Sequence, residues 1–155
     1  EGLTWIEWSN VVLNSIENYE VEGLSKYSLY RSPIPKVIHR TQFYQISSRG
    51  NHQVQMLFEA SVLSKDIMIY HYPIRGYKHF ENKTIRGGEA YLHNPNKTQG
   101  VHWRFWYSLY QKGALINEFS RVIGIDKISD FKKRGIIGTD IRFLKYLRVV
   151  CNNSK

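Results

Sequence analysis

The sequence contains a single cysteine, Cys151, so no disulfide can form within the chain and cysteine-rich zinc sites are excluded. One unpaired cysteine is typical of a protein from a reducing compartment. No run of about 18 apolar residues is present, so the sequence predicts no membrane-spanning helix. Its first residues also lack the basic and apolar regions of a secretory signal peptide. These absences predict a cytoplasmic location.

Several catalytic motifs are also missing. The sequence has no P-loop, no GxGxxG dinucleotide fingerprint, no HExxH and no GxSxG. Its aspartates at positions 66, 126, 130 and 140 stand alone, and no Asp-x-Asp occurs. Enzymes that handle diphosphates through a bridging metal usually hold the ion with such carboxylates. From its motifs alone, the chain would be described only as a basic α/β domain.

The length of 155 residues fits one domain or a large piece of one, and the formal net charge is +9. The charge is unevenly distributed. Residues 1–30 hold five acids and one base, whereas residues 121–155, which we interpret as a basic helical tail, hold nine bases and three acids. This asymmetry favours an anionic partner: nucleic acid, an anionic membrane surface or a phosphorylated substrate. A solvated basic face without a partner remains the simpler interpretation.

A strand followed by polar residues lies near the middle of the sequence. Ile67–Tyr70 is short, apolar and predicted to be a buried strand. His71 and Arg75 follow it, and residues 76–86 then have helical periodicity that predicts a helix ended by Gly87-Gly88. Ligands commonly bind where strands of an open α/β sheet end. The alternative is a hydrogen-bonded, half-buried His71 and a surface ion pair of Arg75.

The next helix is predicted over residues 101–112, with Gly113 as its stop. His102 and Arg104 lie at its start, where free N–H groups favour anions. Four aromatic residues share one face of this helix, and such a stripe either packs into the core or forms a sugar platform. The four are Trp103, Trp106, Tyr107 and Tyr110.

The remaining elements are predicted from the spacing of apolar residues and from residues that commonly begin or end helices and strands. An amphipathic helix is predicted from Trp5 to Tyr19, and short strands at Lys36–Arg40 and Phe43–Ile46. Further helical segments are predicted at 114–119, 126–134 and 140–150, the last with Thr139 as its N-cap.

Two further features have both a functional and an unremarkable interpretation. His52 lies in a polar loop after a predicted strand, where it could bind a divalent metal or be a surface histidine. The last helix carries Arg142, Lys145 and Arg148 beside apolar residues. It could lie on an anionic membrane or pack against its own domain with the bases in water.

An ordered series of short segments resembles the carboxyl-terminal half of bacterial glycosyltransferases of the family 2 type, over residues 30–115. The one departure noted is Gly76, where the family commonly has serine. The segments that carry the resemblance are Lys36-Val37-Ile38-His39-Arg40, Gly50-Asn51-His52, His71-Tyr72-Pro73-Ile74-Arg75-Gly76-Tyr77 with Phe80 and Lys83, Gly87-Gly88, and His102-Trp103-Arg104.

This resemblance implies an α/β fold that is part of the Rossmann-like nucleotide-diphospho-sugar transferase (GT-A) fold. It implies a nucleotide-sugar donor, a glycan or lipid-linked acceptor, and a divalent cation, Mn²⁺ or Mg²⁺, acting as a Lewis acid. The Asp-x-Asp motif and the catalytic base would lie upstream of Glu1. We therefore expect either a carboxyl-terminal fragment of the enzyme or a degenerate relative, and whether this chain is itself an enzyme stays open.

The resemblance also implies roles for individual residues. His52 would lie in the loop that closes the metal and diphosphate site, with His52 and His71 as metal ligands. His71 and Arg75 would face the donor phosphates or the acceptor, and the guanidinium of Arg75 can grip a phosphate. Lys83 would add positive potential around the same cleft, and so would two residues of the next helix, His102 and Arg104. The basic carboxyl-terminal helices would suit polysaccharide biosynthesis at the inner face of a bacterial membrane, with a peripheral membrane contact.

Two other classes of protein compete with the transferase. A basic, aromatic-rich domain could be a non-enzymatic nucleic-acid binding module, whose affinity falls steeply with salt. The helical arrangement of the aromatics disfavours it, because exposed stacking platforms usually alternate along a sheet. A structural subunit that completes another chain's site would also explain the missing carboxylates.

Overall fold

The computed structural model covers the 155 residues and describes most of the second half of the chain continuously. The described residues are 3–6, 10–31, 37–38, 42, 44–47, 53–58 and 70–152. The loop with His52 and most of the predicted strands at Lys36–Arg40 and Ile67–Tyr70 lie outside these ranges. Val37 and Ile38 are described and are not in a strand.

The described residues form short strands in the first half and helices in the second. The strands are β1 (Leu3–Ile6), β2 (Asn10–Val12), β3 (Tyr44–Ser47), β4 (Val54–Met56), β5 (Tyr70–His71) and β6 (Ile137–Thr139). The helices are α1 (Tyr77–Leu92), α2 (Val101–Gln111), α3 (Leu115–Ile123), α4 (Ile128–Lys133) and α5 (Arg142–Asn152), with a 3₁₀ turn at Ile125–Lys127 before α4.

Four strands form one mixed sheet in the order β5-β1-β2-β6. β1 pairs antiparallel with β2 and parallel with β5, with Thr4 opposite both Val12 and His71. β2 pairs antiparallel with β6, with Val11 opposite Gly138. Strands β3 and β4 form a separate antiparallel pair. The main sheet therefore joins the beginning of the chain to residues more than a hundred positions later, while β5 leads directly into α1.

The predicted helix from Trp5 to Tyr19 is wrong. Of its residues that the structure describes, 5–6 and 10–12 lie in β1 and β2, and residues 13–19 continue in bends and turns. Val11 and Val12 are β-branched and buried, which suits a strand. The backbone of this region pairs with residues distant in sequence: the Leu13 N–H donates to the Ile136 carbonyl at 2.9 Å. A helical spacing of apolar residues could not reveal that pairing.

Helix α1 also runs further than predicted, because Gly87-Gly88 lies inside it and does not end it. Both glycines are covered by α2. A Cβ on Gly87 would lie 2.5 Å from Cδ2 of Trp103, and one on Gly88 would overlap the Tyr107 side chain. The glycines therefore allow the two helices to approach closely. The helix predicted over residues 101–112 is confirmed as α2, and Gly113 follows it with a φ of 68°.

The core lies between the helices and residues 24–30, beneath one edge of the sheet. The predicted strand at Phe43–Ile46 and the helical segments after residue 114 are confirmed with shifted ends. The segment interpreted as a basic tail also supplies buried residues from α3, α4 and β6. Buried apolar residues of the cluster are Val12, Leu24, Tyr30, Ile74, Phe80, Trp106, Leu115, Phe119, Val122, Ile123, Phe131, Ile136 and Ile137.

Candidate functional site

The site begins with the backbone between β5 and α1. Ile74 is buried and anchors this segment, while Arg75 is exposed beside it. Gly76 has a φ of 99°, a conformation that L side chains rarely adopt, which accounts for glycine at this position. No acidic residue lies in the first turn of α1, and no side chain caps it. The positive end of the helix therefore faces the same region as Arg75.

Arg75 makes two contacts with one imidazole ring. Its backbone N–H donates to Nδ1 of His79 at 3.1 Å, and its guanidinium Nη2 lies 3.1 Å from Nε2. A neutral imidazole has only one acceptor nitrogen. With Nδ1 accepting, Nε2 carries a proton that faces the guanidinium. Within the described part of the chain the Arg75 guanidinium thus has no carboxylate partner, and an anionic ligand would be a better acceptor than the ring.

Lys83 lies two turns along α1 and reaches back to the same segment. Its Nζ donates to the Pro73 carbonyl at 2.9 Å and lies 5.8 Å from the ring centre of Trp103. Burial lowers the pKa of Lys83, and the nearby Arg75 lowers it further. Lys83 therefore holds the residues before α1 against the helix and places a cation close to Arg75.

His102 approaches from the start of α2. Its ring is half-buried, with centroid distances of 4.7 Å to Trp103, 5.2 Å to Trp106 and 5.8 Å to Tyr27. Burial lowers the pKa of His102, and Lys83 contributes a smaller effect of the same sign. The pKa of His79 is also lowered, by burial first and then by Arg75 and Lys83.

Arg75, His79, Lys83 and His102 therefore form one electrostatic group, which we call the cationic cluster. None of the four forms an ion pair with a carboxylate of the described residues. Its two histidines are held towards the neutral state by burial and by the neighbouring cations. An anion at this position would reverse that effect and favour their protonation. The arrangement is suited to a ligand with more than one negative charge.

Arg104 was predicted to join the same cleft, and the structure places it elsewhere. Its guanidinium donates to the Asn94, Asn96 and Gln99 carbonyls at 3.2, 3.4 and 3.4 Å. It also lies 5.9 Å from the ring centre of Tyr91. Residues 102 and 104 are two apart on a helix, so their side chains point to different faces. Arg104 therefore fastens the loop between α1 and α2.

The two predicted metal ligands are not brought together by the described residues. His71 is exposed at the end of β5, and His52 lies outside the described ranges. Among the side chains that the structure describes, no three His, Cys, Asp or Glu residues are close enough to hold one metal ion. These residues do not fit a complete divalent-cation site, so we derive no step through a metal.

A buried carboxylate lies directly beneath the site. Glu118 on α3 is 3% exposed, and its Oε1 accepts hydrogen bonds from Ser25 Oγ at 2.5 Å and Trp106 Nε1 at 3.3 Å. Ser25 in turn accepts the Tyr27 N–H at 3.0 Å. This network holds Tyr27 against His102 and connects the site to the core. We infer a positioning role for Glu118.

Sequence reasoning missed two members of this region. His79 lies in the first turn of α1, whereas Arg75 precedes the helix, so no helical spacing could have pointed to their contact. Tyr27 contacts α2 at His102, Phe105 and Trp106. No local pattern could have shown that contact, because 75 or more positions separate the partners.

Comparison of this chain with protein-family models, with curated proteins and with solved structures gives no match. The resemblance to glycosyltransferases is therefore supported only by the sequence segments that carry it. Within the described residues, no helix has both the length and the apolar character needed to cross a membrane.

Proposed function

We propose that this chain is part of a glycosyltransferase that moves a sugar from a nucleotide-diphospho-sugar donor to a glycan or lipid-linked acceptor. The observation that carries the proposal is the convergence of Arg75, Lys83 and His102 from two helices and a loop into the cationic cluster. The resemblance assigns the donor diphosphate to these same residues. A diphosphate carries the negative charge that would neutralise the cations of the cluster.

In such a transfer, the bond between the sugar's anomeric carbon and the diphosphate oxygen breaks, and a bond to the acceptor oxygen forms. Negative charge develops on the departing diphosphate, and a cation held against it stabilises the transition state. The exposed Arg75 guanidinium can bind two phosphate oxygens at once. Lys83 and His102 would contribute as a cation and as a hydrogen-bond donor. The acceptor proton requires a base, which we do not assign to a described residue.

The cluster predicts how binding depends on pH. Binding of a diphosphate raises the pKa values of the His79 and His102 rings, which the fold lowers. Protons are then taken up with the ligand, so affinity should increase as pH falls from 8 towards the histidine range of about 6.5. The divalent cation of the family stays a prediction, which the same titration tests with and without Mn²⁺.

The proposal is tested by calorimetric titration of the 155-residue chain with UDP and GDP. Arg75→Ala should weaken binding by about tenfold or more, because a charged hydrogen-bond donor to phosphate is lost. Arg86→Ala is the matched control: it removes the same charge from an exposed position of α1. We expect the control to bind like the wild type.

Other outcomes would overturn the proposal. If neither UDP nor GDP bound at millimolar concentration, this chain would not contain the donor site. An equal loss in both variants would show a general charge effect and no defined site. Tight binding of single-stranded nucleic acid with a steep salt dependence, and no selectivity among nucleotides, would favour the binding module instead.

A further inference from the structure

Helix α5 presents apolar side chains to solvent. Tyr146, Val149 and Val150 are 63%, 59% and 41% exposed. They are three and four residues apart, so they form one surface of the helix. Ile141, just before the helix, is 44% exposed. Exposed apolar groups arranged on one helical surface are more informative than single ones, because scattered apolar residues are common on protein surfaces.

The same helix carries basic residues whose charges are not neutralised. Lys145 and Arg148 are exposed, and among the described residues neither has an acidic partner. No acidic residue occurs from Arg142 to Asn152. The surface formed by Tyr146, Val149 and Val150 together with Lys145 and Arg148, which we call the α5 face, is therefore both apolar and positively charged.

The start of α5 is capped by Asp140, the residue that follows β6. Asp140 accepts the Arg142 backbone N–H at 2.9 Å and the Arg142 guanidinium at 2.6 Å. The hydrogen bond with Arg142 lowers the pKa of Asp140. This contact replaces the predicted Thr139 cap, because Thr139 is the last residue of β6. Since β6 is an edge strand, α5 leaves the sheet from its border.

We propose that the α5 face binds the surface of an anionic membrane. Anionic headgroups complement Lys145 and Arg148, while the apolar side chains enter the boundary with the acyl chains. Nucleic acid would satisfy the cations and leave the apolar side chains in water. With 11 residues, α5 is about 16 Å long, roughly half the thickness of the hydrocarbon layer, so it lies on the membrane and does not cross it.

Vesicle co-sedimentation tests this proposal with the 155-residue chain. Vesicles of phosphatidylcholine containing a quarter phosphatidylglycerol should bind the chain, and pure phosphatidylcholine should bind it much less. K145E/R148E should weaken binding to the anionic vesicles by at least about tenfold. K132E/K133E makes the same charge change at exposed positions of α4 and should weaken binding to the anionic vesicles clearly less.

A second variant tests the apolar component separately. Y146S/V149S leaves the charge unchanged and should also weaken binding, with the remaining binding abolished by 0.5 M NaCl, because exposed charges are screened at that ionic strength. No sedimentation with anionic vesicles, or an equal loss in K132E/K133E, would overturn the proposal. So would preferential binding of the chain to duplex nucleic acid that K145E/R148E abolishes.

This proposal does not depend on the proposed enzymatic function. K145E/R148E should bind UDP like the wild type, and Arg75→Ala should sediment with anionic vesicles like the wild type. Each variant therefore serves as the folding control for the other experiment. If both variants lost both activities while keeping wild-type stability in urea unfolding, the two sites would not be separate.

Discussion

Glu118 shows how one residue can connect the core to the candidate site. Its carboxylate is buried and accepts from Ser25 and Trp106 through the same oxygen, Oε1. Arg121 lies 3.5 Å from the other oxygen, but its side chain is exposed. Exposed partners of this kind contribute little stability. The two hydrogen bonds from buried donors are therefore the important interactions of Glu118.

Replacing Glu118 should separate these contributions. Glu118→Ala should lower the free energy of unfolding by roughly 2–4 kcal/mol, because two buried donors lose their acceptor. Glu118→Gln keeps a carbonyl oxygen for both donors and loses mainly the Arg121 ion pair, so its cost should stay below about 1 kcal/mol. Urea unfolding followed by tryptophan fluorescence measures both values. Similar losses in the two variants would contradict the proposed role of Oε1.

The residues of the site could be predicted only in part. Arg75, Lys83 and His102 were all expected at one cleft. Lys83 donates to the Pro73 carbonyl and lies 5.8 Å from the ring centre of Trp103, which His102 contacts at 4.7 Å. Arg104 was expected beside them because it lies at the start of the same helix as His102 and because the resemblance places it at the same cleft. On a helix, however, a separation of two residues turns side chains to different faces. A shared place at the start of α2 therefore does not put the two side chains on one surface.

At the scale of elements, the crossing of α1 and α2 determines the geometry of the cationic cluster, since each helix supplies part of it. The helices touch where Gly87 and Gly88 meet Trp103 and Tyr107. An alanine in a helix interior is usually more stable than glycine by about 1 kcal/mol. Here the added methyl group would occupy space that α2 already fills.

The sign of the stability change therefore tests the packing. Gly88→Ala should destabilise the protein by about 1–3 kcal/mol, because its Cβ would overlap the Tyr107 side chain close to the backbone. When Tyr107 is also replaced by alanine, Gly88→Ala should lower the stability by less than it does in the wild type. Thermal and urea unfolding give the four values of this cycle. A stabilised Gly88→Ala would show that α1 and α2 do not pack as described.

The elements also show where local patterns mislead. Gly87-Gly88 has the composition of a helix end, yet the helix continues for four more residues to Leu92. Similarly, the apolar spacing after Trp5 matched a helix, and the chain forms strands instead. Both errors have the same physical cause. A partner distant in sequence, α2 in one case and β6 in the other, provides interactions that outweigh local preference.

At the scale of the whole molecule, the acidic beginning and the basic end of the chain lie against each other. Arg134 forms an ion pair with Glu22 at 2.6 Å and with Asp130 at 3.1 Å. Arg121 donates to the Leu24 carbonyl at 3.3 Å. The asymmetry seen in the sequence is thus partly neutralised within the fold. Among the described residues, the cationic cluster and α5 are two of the places where positive charge has no carboxylate partner.

The histidines of the cluster make the stability of the whole protein depend on pH. In the unfolded chain His79 and His102 titrate near about 6.5, and folding lowers the pKa of both. At pH values between the lowered pKa in the folded protein and the pKa in the unfolded chain, the unfolded state binds more protons than the folded state. The free energy of unfolding should therefore fall as pH decreases from about 7.5 to 5.5. Carboxylates such as Asp140 add their own loss only at lower pH, because their ordinary pKa values are near 4.

His102→Gln tests this dependence, because glutamine keeps a polar side chain that does not titrate. Between pH 7.5 and 5.5 the free energy of unfolding should fall less in this variant than in the wild type. It should fall still less in the double variant that also carries His79→Gln. Urea unfolding at the two pH values gives the differences. The His102 ring protons, followed by NMR, should titrate below the value of a model histidine. A wild-type pH dependence in the double variant would show that the two rings are not held neutral by burial and by the cations around them.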